Sequence, residues 1–235
     1  MTPASVKHVL RHYCLMGVMR FLFPVPKRRD LRRLGSDYGG WTIPVDLLDE
    51  NSICYLAGVG LDISFDLELI DFLGCSVYAF DPTPRAVEYI KREASGNSKY
   101  VFEPVGLWRE NQKKRFYVPA DSSAVSHSIV NLHGTDEYFE AVCETVPTVM
   151  ARLGHDHIDL LKLDIEGAEY DVLDEMFSAG IYPAVLCVEF DQPCSFSKTR
   201  HFVNRLLIDY ELYTREGWDF HFVKRHRSRP ALLSP

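Results

Sequence analysis

Two glycines follow one apolar run of the chain, and a carboxylate follows the next apolar run. Gly58 and Gly60 follow the run at 53–56, and Asp81 follows the next run, at 75–80. Glycine permits a tight turn and a close approach of the backbone to a ligand, and the N-terminus of the following helix adds positive charge there. A carboxylate roughly 20 residues further on can accept hydrogen bonds from both hydroxyls of a ribose. This spacing favours a site for an adenosine-containing ligand.

Each of these features also has a plainer interpretation. The glycine segment lacks the third glycine of the dinucleotide-binding fingerprint, because Ile63 occupies that position. Two glycines alone fit an ordinary tight turn, and Asp81 alone fits a cap for a helix that begins near Pro84. Pro82 removes a backbone donor and shapes the turn between them. The offset between the glycines and Asp81 favours ribose binding.

A pair of acids follows a later apolar run. The run at 158–163 ends at Asp164, and Glu166 stands two residues further on, before Gly167. Two carboxylates that pack together in a dry site repel, so we expect a partner, a raised pKa or a metal ion beside them. The alternative is that these acids only complement the dipole of the next helix, for which Glu169 is the clearest example.

Alternating strand and helix patterns must position these residues. We predict strands over 53–56, 75–80, 100–105, 158–163, 184–190, 211–214 and 219–224, and helices over 64–73, 84–94, 146–153, 168–179 and 199–208. Residues 106–134 lack a clear pattern and fit a hairpin with Arg115 to Val118 as one arm. Strands that alternate with helices imply a mainly parallel sheet. Such sheets bind ligands at the carboxyl ends of their strands.

The ends of the chain are basic, although the net charge is −7. Residues 1–33 carry eight Lys and Arg residues against Asp30 alone, and the tail adds Lys224, Arg225, Arg227 and Arg229. Basic ends fit either solvated segments or contact with phosphate or an anionic membrane surface. The acidic body and the lack of an aromatic–basic ladder argue against nucleic acid as a partner.

A short helical extension is predicted to precede the main domain. Residues 4–23 have a helical pattern that Pro24 and Pro26 end. The apolar stretch at 13–25 is interrupted by Arg20 and is shorter than the roughly 20 residues that span a bilayer. We predict an extension over 1–34, the main domain over 35–228 and a tail over 229–235. The six cysteines show no metal-type spacing, which indicates reduced thiols and a cytoplasmic protein.

Taken together, these motifs resemble a known family. The string LKLDIEGAEYDVL, with YLAGVGLDISFDLELI and VYAFDPTPRAVEYI upstream, is similar to the FkbM-type methyltransferases, and the likeness covers roughly residues 35–225. The resemblance implies a Rossmann-like class I methyltransferase fold, a mainly parallel α/β sheet with helices on both faces. It also implies S-adenosylmethionine as the methyl donor and O-methylation of a sugar, a glycan or a small metabolite.

The resemblance assigns roles to residues along one edge of the sheet. Gly58, Gly60 and Asp62 would line the methionine end of the cofactor, and Asp81 would hold its ribose. The other residues that we expect to contact the cofactor lie near the same strand ends: Tyr38, Phe65, Pro82, Gly106, Leu107, Ser122 and Asp164. Tyr38 and Trp41 would form a lid, and their alternative is simple packing of the N-terminal segment.

Methyl transfer requires mainly that the protein align the reactants and exclude water. An alcohol also needs a base or a metal to become a good nucleophile. We predict Asp164 or Glu166 as the catalytic base and favour Asp164 because it ends its strand. Glu189 and Asp191 are second candidates, and with Asp164 they offer oxygen ligands for Mg²⁺. Because such carboxylates often only cap helices, we expect a site without metal.

Other bases and other function classes stay open at this point. His127 and His133 lie in the loop-rich middle, although histidines without a partner are more often structural. An NAD-type oxidoreductase on a related fold is one alternative, and the incomplete glycine fingerprint counts against it. A non-catalytic cofactor-binding protein is the other alternative.

Overall fold

The computed structural model describes residues 15, 17–26, 30–94, 96–118, 129, 135–190 and 196–225. Its strands, in chain order, are β1 (Leu31–Leu34), β2 (Trp41–Pro44), β3 (Ile53–Ala57), β4 (Ser76–Phe80), β5 (Tyr100–Glu103), β6 (Gly106–Leu107), β7 (Gln112–Tyr117), β8 (Tyr138–Glu144), β9 (Leu160–Leu163), β10 (Val185–Glu189), β11 (Tyr210–Glu216) and β12 (Asp219–Lys224). The helices that follow these strands are α1 (Ser64–Leu73), α2 (Pro84–Glu93), α3 (Val146–Leu153), α4 (Glu169–Ser178) and α5 (Phe196–Asp209).

Seven of the strands form one sheet in the order β11-β12-β10-β9-β3-β4-β5. The five strands from β10 to β5 pair in parallel, whereas β12 is antiparallel to both of its neighbours. The chain proceeds outward from β3 to β5 and then returns to β9, so the strand order reverses between β3 and β9. The carboxyl ends of the strands at such a switch point flank a crevice suited to a ligand.

Helices cover both faces of this sheet. In β3, Tyr55 belongs to one buried apolar cluster, which also contains residues of α3, α4 and α5. Its neighbours Cys54 and Leu56 belong to a second cluster, which contains residues of α1 and α2. This alternation follows from the two-residue period of a strand, which sends successive side chains to opposite faces. The predicted α/β fold, with a mainly parallel sheet between two helical layers, is confirmed.

A hairpin of β1 and β2 precedes the predicted strands, the first of which was expected at residue 53, and the sequence pattern did not indicate it. Leu31–Leu34 pairs antiparallel with Trp41–Pro44. The arginines of β1 face outward and find distant partners, since Arg32 stacks on the ring of Phe72 at 3.9 Å and Arg33 forms an ion pair with Glu216 at 3.4 Å.

Strand β2 is attached to the main sheet through Thr42, whose hydroxyl donates a hydrogen bond to Glu216 of β11. The backbone oxygen of Thr42 accepts hydrogen bonds from the Tyr213 hydroxyl at 2.8 Å and from Nδ1 of His221 at 2.9 Å. Both donors are buried on β11 and β12. Burial lowers the pKa of His221 to about 4, so this imidazole is neutral and donates from Nδ1.

A three-stranded sheet, in the order β6-β8-β7, occupies the region that the sequence left without a clear pattern. The predicted hairpin arm at 115–118 is the end of the longer strand Gln112–Tyr117, and its partner is Tyr138–Glu144. The other predicted elements of the main domain are present, some with the predicted ends and the rest with ends shifted by at most three residues.

Only part of the predicted N-terminal helix lies within the described residues. Residues 17–22 are helical, and Met19 and Phe23 are buried in the cluster that contains α3 to α5. The rest of the predicted helix and the tail at 229–235 lie outside the described residues. None of the helices in the described ranges is long and apolar enough to cross a membrane.

Candidate functional site

A cavity of about 380 Å³ opens at the carboxyl ends of β3, β4, β9 and β10. Its floor is formed by the turns that follow these strands, and its walls by the β1–β2 hairpin and by Gly106, Leu107 and Phe116 of the three-stranded sheet. Ligand pockets in proteins usually measure about 300 to 1,000 Å³. The cavity lies at the switch point of the sheet, where the topology predicts a ligand site.

The glycine turn after β3 packs directly against the end of β9. Gly58 has a φ of +83°, and a Cβ on it would lie 1.7 Å from the backbone oxygen of Asp164. No side chain fits there. Gly60 also has a positive φ, of +57°, but the space in front of it is open. The first glycine therefore allows two strand ends to meet, and the second leaves room within the cavity.

Asp81 is tied to the glycine turn. Its buried carboxylate accepts a hydrogen bond from the N–H of Gly60 at 3.0 Å and one from the N–H of Thr83 at 2.8 Å. The helix-cap interpretation of Asp81 is wrong, because Thr83 caps α2 by accepting a bond from Ala86. A carboxylate offers about four lone pairs, so the two backbone bonds leave acceptor capacity toward the cavity.

Asp62 joins the hairpin loop to the start of α1. Its carboxylate accepts hydrogen bonds from the Ser36 hydroxyl at 2.5 Å and from the Ser64 N–H at 2.9 Å. Burial opposes ionisation of Asp62, but these hydrogen bonds outweigh it and lower its pKa. A Cβ on Gly39 would lie 2.8 Å from the same carboxylate, so the loop is packed closely on it.

The remaining predicted residues lie at the cavity rim, in the cavity wall, in the protein core or outside the described ranges. Tyr38 lines the cavity rim with 86 % of its surface exposed, whereas Trp41, its predicted partner in a lid, is buried in the cavity wall. Pro82, Gly106 and Leu107 also line the cavity. Phe65 does not line the cavity, because it lies on the face of α1 that packs into the core. Four predicted residues lie outside the described ranges: Ser122, His127, His133 and Asp191.

Lys162 is a residue that the sequence reasoning missed. It is buried in β9, and its ammonium group lies 2.7 Å from the carbonyl oxygen of Gly58 and 3.3 Å from the carboxylate of Asp164. It also faces the ring of Trp41 at 5.5 Å. Burying a charge is costly unless the charge is paired. A lysine within the apolar string LLKL was the available signal that a partner must exist.

Asp164 sits between Lys162 and Glu189. Burial would raise its pKa, but the ammonium of Lys162 and a hydrogen bond with Glu189 more than compensate, so its pKa is lowered. Asp164 is therefore an ionised carboxylate at neutral pH, and Lys162 is the cation expected beside it. Glu189 and Asp219, opposite each other on β10 and β12, also line the cavity. Asp219 was not predicted.

The loop from β9 to α4 is held in an uncommon conformation. Glu166 lines the cavity with a φ of +55°, which is rare for a residue other than glycine and costs about 1 to 3 kcal/mol. The buried carboxyl of Glu169 accepts hydrogen bonds from the N–H of Ile165 at 2.8 Å and of Gly167 at 3.0 Å. Glu169 thus braces the loop, a role beyond complementing the helix dipole.

Exchanging Glu169 tests this brace. Burial raises the pKa of its carboxyl to about 8, so the group is mostly neutral at pH 7. We expect Glu169→Gln to be at least as stable as the parent at pH 7, because the amide oxygen can accept the same bonds and the amide has no proton to lose. Glu169→Ala should lose about 1 to 3 kcal/mol for each unpaired backbone N–H. Urea unfolding at pH 7 measures both variants, and equal losses would contradict a neutral carboxyl.

The same pKa fixes how stability depends on pH. Because the folded pKa lies above the ordinary value of 4.5, the folded state keeps a proton that the unfolded state loses. The parent should therefore lose stability relative to Glu169→Gln as the pH rises from about 4.5 to about 8. A flat difference across this range would show that Glu169 titrates normally.

Within the ranges that the structure describes, no group of three or more His, Cys, Asp or Glu side chains is arranged to hold a metal ion.

The family model for the methyltransferase FkbM domain matches residues 59–220. The chain belongs to the FkbM methyltransferase family. This range contains the ends of β4, β9 and β10 at the cavity floor and begins one residue after Gly58. The α/β sheet is the Rossmann-like methyltransferase fold that the sequence predicted. The β1–β2 hairpin of this FkbM methyltransferase precedes the matched range, although it lines the cavity. No curated protein matches the chain.

Proposed function

We propose that this FkbM methyltransferase transfers the methyl group of S-adenosylmethionine to a hydroxyl oxygen of a sugar, a glycan or a small metabolite. The observation that carries the proposal is the junction of Asp81 with Gly60 on the cavity floor. That junction puts a carboxylate with spare acceptor capacity beside a glycine that leaves open space. The two hydroxyls of a ribose can donate hydrogen bonds to the Asp81 carboxylate, and a methionine chain fits the open space beside Gly60.

The donor supplies an electrophilic methyl group on its sulfonium centre. The residues of the protein orient the acceptor and receive its proton. The ionised carboxylate of Asp164 is suited to accept a hydrogen bond from the acceptor hydroxyl and so to aim a lone pair of that oxygen. Glu166, half-exposed at the cavity wall, is suited to pass the proton to solvent. Positioned acid–base groups of this kind typically contribute about 10² to 10⁴ in rate.

The walls of the cavity support a hydroxylated acceptor. Glu189 and Asp219 offer carboxyl oxygens that accept hydrogen bonds from hydroxyl groups, and Trp41 offers an aromatic surface. We place the reaction in the cytoplasm, where thiols stay reduced, since four described cysteines, Cys54, Cys75, Cys143 and Cys187, are free and buried.

Calorimetric titration tests the donor site. We expect the protein to bind S-adenosylmethionine and S-adenosylhomocysteine, and to bind NAD far more weakly. Asp81→Ala should weaken binding of S-adenosylhomocysteine about 100-fold, since each hydrogen bond to a charged group contributes about 1.5 to 3 kcal/mol. Glu88→Ala, which removes an exposed acid from the neighbouring helix α2, is the matched control and should bind like the parent.

A 2′-deoxy analogue of S-adenosylhomocysteine separates the ribose contact from a general loss of fold. The parent should bind this analogue more weakly than the complete ligand, whereas Asp81→Ala should bind the two equally. Preference for NAD, or an analogue effect that persists in the variant, would refute the donor assignment. Transfer of a labelled methyl group to a panel of sugars and hydroxylated metabolites then tests the acceptor class.

A further inference from the structure

The helical segment at 17–22, with the residues that follow it, has apolar side chains on two opposite faces. Met19 and Phe23 are buried against the core. Val18 and Phe21 point away from it and are 45 % and 87 % exposed, and Val25 is 39 % exposed. A helix on the surface of a globular protein normally turns polar residues outward. An exposed apolar strip of this kind marks an interaction surface.

The sequence that contains this strip is strongly basic. Arg20 is exposed and directly precedes Phe21 in the sequence. Residues 1–33 contain eight Lys and Arg residues and a single acid, Asp30, in a chain of net charge −7. Basic residues beside an exposed aromatic side chain are the combination that binds the interface of an anionic bilayer.

We infer that this segment docks the protein onto an anionic lipid surface, with Val18 and Phe21 at the boundary between headgroups and acyl chains. The charge argues against self-association, because a two-fold dimer through this strip would place two basic segments against each other. In this docking mode the segment lies along the surface of the bilayer. The inference is independent of the methyl-transfer proposal.

Vesicle sedimentation tests the inference. We expect the full chain to bind vesicles containing about 30 % phosphatidylserine at least tenfold more tightly than vesicles of phosphatidylcholine alone. Binding should weaken in about 1 M NaCl, which shortens the Debye length to about 3 Å. The double variants Val18→Ser/Phe21→Ser and Arg28→Glu/Arg29→Glu should each lose most of the binding and should keep the melting temperature of the parent.

A matched control carries the same kinds of change elsewhere. Val142 is 44 % exposed on β8, and Lys91 is exposed on α2, which packs on the opposite face of the sheet from Met19. Val142→Ser/Lys91→Glu should bind vesicles like the parent. Phe21→Trp should also be quenched by lipids brominated on their acyl chains, and this signal reports contact of position 21 itself.

Three outcomes would overturn the inference. One is equal binding to neutral and anionic vesicles. Another is unchanged binding by Val18→Ser/Phe21→Ser. The third is a parent that ignores vesicles while the same double variant converts a dimer into a monomer in size-exclusion chromatography, which would identify the strip as a protein contact.

Discussion

Gly58→Ala should abolish donor binding and strongly destabilise the protein. The new Cβ would lie 1.7 Å from the backbone oxygen of Asp164, and a backbone atom at a strand end cannot move aside cheaply. The positive φ adds about 1 to 2 kcal/mol, and overpacking typically adds about 1 to 3 kcal/mol. Displacing Asp164 would also separate β9 from the turn that we propose as part of the donor site. Urea unfolding and calorimetry with S-adenosylmethionine measure the two effects.

Gly60→Ala is the matched control for stability. Gly60 has a comparable backbone conformation, with a φ of +57°, but a Cβ on it meets no atom within 4 Å. It should therefore lose only the conformational cost of about 1 to 2 kcal/mol. If the two variants unfolded at the same urea concentration, the close contact of Gly58 with Asp164 would not affect the free energy of unfolding.

Asp164→Asn should abolish turnover and leave donor binding within a few-fold of the parent. The amide keeps the shape of the side chain but removes the negative charge that orients the acceptor hydroxyl. We expect a fall in kcat of about 10² to 10⁴, the usual contribution of a positioned base. Single-turnover methyl transfer and donor titration on the same sample separate the two effects. Normal turnover in this variant would dismiss Asp164 from the reaction.

Lys162→Met provides a pH readout for the same carboxylate. The ammonium of Lys162 lowers the pKa of Asp164, so the ionised form persists to lower pH in the parent. Without the ammonium, burial raises that pKa, and the acid limb of the rate profile should move to higher pH. Asp164→Asn, which has no carboxylate to titrate, should lack this limb. An unchanged limb in Lys162→Met would show that another group controls the profile.

The residues that follow β3, β4 and β9 could be predicted because strand ends and turn residues are local features. Helix α1 has the predicted bounds, since Gly74 ends it in a left-handed conformation. Helix α3 also has the predicted bounds, between the caps Thr145 and Gly154. In each case the residue that ends the element is adjacent to it in sequence, so the pattern alone is sufficient.

The parts that could not be predicted depend on partners far away in sequence. From the sequence alone, Arg33 in β1 is one of several basic residues near the N-terminus, and its ion-pair partner Glu216 cannot be identified. Lys162 looks misplaced in an apolar strand until the carbonyl of Gly58, 104 positions away, accepts its hydrogen bond. Phe65 stands close to the glycine turn in sequence, but the helical period turns it toward the core.

The attachment of the hairpin through Thr42 has an evolutionary consequence. Most residues of the proposed donor half of the cavity lie within residues 59–220, with Gly58 directly before them, whereas one proposed acceptor wall belongs to the β1–β2 hairpin further upstream. Two of the bonds that hold β2 end at a backbone oxygen. Substitutions in the hairpin should therefore preserve the attachment if they keep the Thr42 hydroxyl, which donates to Glu216, and the buried side chain of Ile43. A chimera that carries the hairpin of another family member, with Ser36 and Thr42 retained for their bonds to Asp62 and Glu216, should therefore change the acceptor preference and keep donor binding close to that of the parent.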